Sequence, residues 1–119
     1  MERSKLMEGT LPVYKILVTV KSMKGHCNAG YKVGDTIEIE HGKVSGVRCL
    51  LSLNALSPPI YMLRWGGQYP WSGNPPVVTQ ECPDREIQVN FEIRRAGHDQ
   101  AWHEYACNAM RRAENASKK

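Results

Sequence analysis

Between Glu86 and Arg94 every second residue is apolar: Ile87, Val89, Phe91 and Ile93 alternate with Gln88, Asn90, Glu92 and Arg94. Successive side chains of a strand point to opposite faces, so this period of two describes a strand that is buried on one face and wet on the other. The same pattern starts at Val13, where Tyr14, Ile16, Val18 and Val20 alternate with Lys15, Leu17, Thr19 and Lys21. Half-wet strands exclude a sheet covered on both faces. They call for an antiparallel or mixed sheet with helices on its apolar side. Two shorter strands are expected at Thr36 to Glu40 and Val77 to Cys82, which makes about four. The fold class is α+β.

The helices come from the remaining apolar runs. Val47 to Leu56 reads as a short helix carrying Leu50, Leu51, Leu53 and Leu56. Ser57-Pro58-Pro59 follows. Proline lacks an N–H and clashes with the preceding turn, so the pair predicts a break. Ser57 then caps a second short helix, Pro58 to Trp65, with proline at its first position. Gly66 and Gly67 end it. Gly97 predicts the end of the last strand, and Asp99 caps a C-terminal amphipathic helix reaching about Glu114, with Trp102, Tyr105, Ala109 and Met110 on one stripe. That stripe covers the sheet or docks another subunit. The expected organisation is a flexible lead at 1–12, a core domain at 13–97, and a helix with its tail at 98–119.

Length and charge narrow the function classes. At 119 residues the chain makes one domain. No apolar run is long enough for a membrane span, and the polar N-terminus does not read as an export signal, so a cytoplasmic location is expected. Four cysteines then read as thiols or ligands, not disulfides. The net charge of +4 gathers largely at Arg111, Arg112, Lys118 and Lys119, without interleaved aromatics, so nucleic acid is not an expected partner. There is no G-x-S-x-G, P-loop, H-E-x-x-H, G-x-G-x-x-G or C-x-x-C motif.

Candidate site residues come from the ends of elements, where loops vary on a fixed scaffold. Cys27 follows His26 in a glycine-rich loop, Cys49 opens a helix, and Cys82 closes a strand. If these ends converge, Cys27, Cys49, Cys82 and His26 suit zinc or another soft metal ion. Without metal, Cys27 and Cys82 could serve as catalytic thiols. The alternative is three unrelated half-buried thiols. Cys107, at the margin of the last helix's stripe, reads as structural. Arg64 is a candidate catalytic or carboxylate-clamping residue. The loop after it, Trp65-Gly66-Gly67 through Trp71, reads as a pocket lip or as a packed corner. Asp84 either orients a ligand or forms a turn. His98 and His103 read as solvated.

Taken together, Gly25-His26-Cys27, Gly30, Val33-Gly34-Asp35, Gly46, Cys49, Leu63-Arg64, Gly66-Gly67, Pro70-Trp71 and Cys82-Pro83-Asp84 resemble a group of small uncharacterised prokaryotic proteins. The resemblance covers roughly residues 13–95. It implies a shared architecture and a shared thiol site, and no reaction. The functional expectation is a cytoplasmic protein binding a small ligand or metal, or a small enzyme, at the cysteines beside the Gly66 to Trp71 loop. The alternative is a non-catalytic accessory subunit docking through its last helix, as a homo-oligomer or on a partner subunit.

Overall fold

The computed structural model describes residues 13–83 and 87–117. The expected lead at 1–12, Asp84 and the start of the expected strand at Glu86 lie outside the described residues. The order is β1 (Tyr14–Ser22), β2 (Thr36–Glu40), β3 (Lys43–Ser45), α1 (Leu50–Arg64), β4 (Val77–Glu81), β5 (Asn90–His98) and α2 (Gln100–Ser117). The five strands form one sheet in the order β3-β2-β1-β5-β4, with every neighbouring pair antiparallel.

Register turns the period-two pattern into a core. Val18 faces Ile37 on one side and Ile93 on the other, and Ile93 faces Val78. These four residues form a row across the sheet, and all are buried. Ile16, Val20, Ile39, Val89 and Phe91 extend the same face, and Leu56, Ile60 and Leu63 of α1 pack onto it. Among the described residues α1 is the helix that covers the sheet; α2 makes no extended contact with any strand. No described helix is long and apolar enough to cross a membrane.

Three local expectations are corrected. First, the sheet has five strands where about four were expected: the added β3 follows β2 through a hairpin whose two-residue loop is His41 and Gly42, with φ of 53° and 73°, and Lys43 pairs with Glu40. Two successive positive φ angles match the twist of the flanking strands. Second, the Pro58-Pro59 pair does not split the helix. α1 runs unbroken through both prolines, although an interior proline costs roughly 3 kcal/mol. The reason is its buried stripe: Ser52, Leu56, Pro59, Ile60 and Leu63 share one face across the prolines. Burial of that stripe outweighs the local penalty. Ser57 caps nothing; its hydroxyl donates back to the Leu53 carbonyl at 2.7 Å. Third, β5 continues through Gly97, which takes φ of 107°, to His98.

Candidate functional site

The loop and element ends that carry three of the cysteines meet at one cavity. Cys27, Cys49 and Cys82 line one cavity of about 100 Å³, together with Asn28, Ala29, Leu51, Ile87 and Val89. All three are half-buried and outside any disulfide. Each arrives on a different piece of chain, and the backbone fixes each. Cys27 accepts from the Gly30 N–H at 2.9 Å, Cys49 from the Leu53 N–H at 3.1 Å, and the Cys82 N–H donates to Val89 at 2.9 Å.

Two further ties hold the pieces together. The Lys24 N–H donates to the Ile87 carbonyl at 2.7 Å, joining the Cys27 loop to the segment after Cys82. Tyr31, buried edge-on against Phe91, accepts from the Arg48 N–H at 2.9 Å and shares a hydrogen bond of 3.0 Å with Ser52. Ser52 donates to the Cys49 carbonyl at 2.8 Å. Tyr31 and Ser52 thus bind the Cys27 loop to the start of α1. The signal in the sequence is Ser52, a serine on the apolar face of a leucine-rich helix.

The metal set assembles only in part. His26 is exposed and does not line the cavity. Among the described residues no three of His, Cys, Asp and Glu stand close enough to hold a metal ion. The cavity's soft donors are its three sulfurs, and Asn28 adds one amide to a wall that is otherwise apolar.

Arg64 is not beside the thiols. Cys49 and Arg64 bracket α1, and a rise of 1.5 Å per residue puts them about 22 Å apart. Arg64 is turned inward, with 4% exposure. Its Nη2 lies 2.9 Å from Oδ2 of Asp99, an ion-pair distance without hydrogen-bond alignment, and its Nη1 donates to the Tyr14 carbonyl at 3.1 Å. The Trp65 and Trp102 rings lie within 5.8 and 5.3 Å of its guanidinium carbon. The ligand clamp expected of Arg64 is therefore committed to a structural ion pair.

Asp99 was read only as a helix cap. It does cap α2, accepting from the Trp102 N–H at 3.2 Å, and it also accepts from the His41 N–H at 2.6 Å. Burial pushes its carboxyl up, but the two N–H donors and the Arg64 guanidinium outweigh burial and hold it below the usual carboxylate range.

The Gly66 to Trp71 loop is stapled by Arg95, which sequence reading missed. Its guanidinium donates to Leu63 at 2.8 Å and to Gly67 at 2.6 Å, satisfying carbonyls at the end of α1. Trp65 and Trp71 are both exposed, at 44% and 79%. Trp71 stacks flat on Tyr69, with ring centroids 5.0 Å apart. A lip of Trp65, Gly66, Gly67 and Trp71 lacks the inward-facing charge that Arg64 was expected to supply. His98 and His103, expected in solvent, are half-buried and touch each other. No family model matches this chain, and neither a curated protein nor a solved structure is significantly similar to it.

Proposed function

We propose that the protein binds a small thiophilic ligand at the Cys27/Cys49/Cys82 cavity. The observation that carries this reading is that three thiols from three separate segments line one apolar cavity of about 100 Å³. Such a volume admits only a few non-hydrogen atoms. Sulfur donors without carboxylate or imidazole favour soft partners over hard cations. The occupant that suits the site is a soft metal ion or a small electrophile gripped by two thiolates; a tetrahedral zinc ion would need a fourth donor, and His26 stands outside.

Phenylarsine oxide tests this, because it condenses stably with two neighbouring thiols, releasing water, and only weakly with one. The native protein should take up one equivalent and lose two thiols to titration. Serine at any two of positions 27, 49 and 82 should abolish stable uptake, and Cys107→Ser should not. Uptake that a monothiol reverses fully, or that depends on Cys107, would remove the shared-thiol reading.

A second reading, the accessory subunit, is favoured by one observation: α2 makes no extended contact with the described strands, while Tyr105 on α2 and Tyr61 and Trp65 on and beside α1 are exposed. Large exposed aromatics often mark docking surfaces. Its test must spare Asp99, which belongs to the core. Tyr61→Glu and Tyr105→Glu should shift a self-associating protein toward monomer in sedimentation; an unchanged sedimentation profile counts against self-docking.

A further inference from the structure

We propose that His98 and His103 form a two-histidine site for a borderline divalent metal ion, with zinc as the representative, at the joint between β5 and α2. The site is separate from the thiol cavity and does not depend on it.

Nε2 of His98 lies 3.2 Å from Nδ1 of His103, and the rings are nearly perpendicular, at 83°. Two imidazole nitrogens bound to one tetrahedral zinc at about 2.0–2.1 Å stand roughly 3.3–3.4 Å apart. The pair is therefore already spaced as one edge of a coordination tetrahedron. In the metal-free protein one ring donates its N–H to the other. On metal binding the donor ring takes its other tautomer, so both facing nitrogens present lone pairs and no proton need be lost.

Both rings are held by anchored backbone. His98 pairs with Tyr14 across the sheet, and its ring stands edge-on to Tyr14 with centroids 6.3 Å apart. The His103 N–H donates to the carbonyl of Asp99 at 3.0 Å, and Asp99 is itself fixed by Arg64. Anchoring of this kind removes much of the ordering cost of binding. Imidazole nitrogen selects zinc, copper or nickel over calcium and magnesium, which require oxygen. Among the described residues no third His, Cys, Asp or Glu joins the pair, so water completes the coordination sphere. A bound ion would clamp the first turn of α2 to the end of β5.

The test is a zinc titration of the full chain without a tag, followed by the histidine ring resonances and by competition with a colorimetric chelator. The His98 and His103 resonances should move together at one equivalent while those of His26 and His41 stay in place. His98→Ala and His103→Ala should each weaken that binding at least about tenfold. The joint shift of the His98 and His103 resonances should persist in Cys27→Ser whatever that variant does to total zinc uptake, which separates this site from the thiol cavity. Resonances of His98 and His103 that do not move at about 1 mM zinc, or an affinity in both histidine variants equal to that of the native chain, would show a plain hydrogen bond and overturn the proposal. The resonance readout on the native chain decides the matter even if a variant folds poorly.

Discussion

The Arg64–Asp99 pair should behave as a coupled unit in a double-mutant cycle. Both side chains are within 5% of complete burial. Arg64→Met leaves a buried carboxylate with two N–H donors and no counter-charge. Asp99→Asn leaves a buried guanidinium whose remaining described acceptor is the Tyr14 carbonyl. Removing one partner of a buried pair costs about 3–5 kcal/mol, because the survivor is uncompensated. The double variant carries no buried charge, and its asparagine still accepts one of the two N–H groups. The other N–H goes unpaired, which costs about 1–3 kcal/mol. The double variant should therefore cost no more than the worse single, with a coupling energy of at least about 2 kcal/mol. Urea unfolding followed by tryptophan fluorescence reads this well, since Trp65 and Trp102 flank the pair. With a slope of about 1–3 kcal/mol per molar urea, each single substitution moves the midpoint by a molar or more. Single costs below about 1 kcal/mol, or costs that simply add in the double variant, would refute the reasoning.

The same carboxylate makes stability depend on pH. Because Asp99 is held below its ordinary range, its contribution is complete above the unfolded aspartate value of about 4, and it is lost as pH falls from there through the folded value. The gap in unfolding free energy between the native chain and Asp99→Asn should therefore narrow on acidification from about pH 6 to about pH 3, and a constant gap would contradict it. Trp71→Ala should cost less than about 1.5 kcal/mol, the scale of its stack on Tyr69, not the 3–5 kcal/mol of a buried tryptophan. A larger loss in thermal or urea unfolding would restore the packed-corner reading of the loop.

Most of the sheet was legible because its signal is local. In β1, β2 and β5 each buried residue is flanked by a wetter one, so burial writes itself into the sequence at period two. β3 fails this test for a physical reason. All three of its residues are exposed, so no alternation exists to read, and its pairing comes from the His41-Gly42 turn. Asp99 shows the other limit. Its cap on α2 is a contact three residues away, visible in sequence. Its bonds to His41 and Arg64 span 58 residues and a helix terminus, and nothing in the spacing announces them.

The errors about the site and the helix share one origin. Reading Pro58-Pro59 as a break gives two short helices, and a chain that turns between them could fold Cys49 back toward Gly66 and Arg64. One site holding thiols, guanidinium and aromatic loop is then geometrically possible. A continuous α1 forbids it, because 15 helical residues from Leu50 to Arg64 keep its ends about 22 Å apart. The helix persists because Ser52, Leu56, Pro59, Ile60 and Leu63 lie along one face against the sheet, and that burial depends on strands far away in sequence. Once the helix is continuous, Cys49 can meet only what the sheet brings to its start, which is the Cys27 loop and the end of β4. Arg64 can meet only what is brought to its end, which is Asp99. The division of this small domain into a thiol cavity at one pole and a buried ion pair at the other follows from the helix running through its prolines.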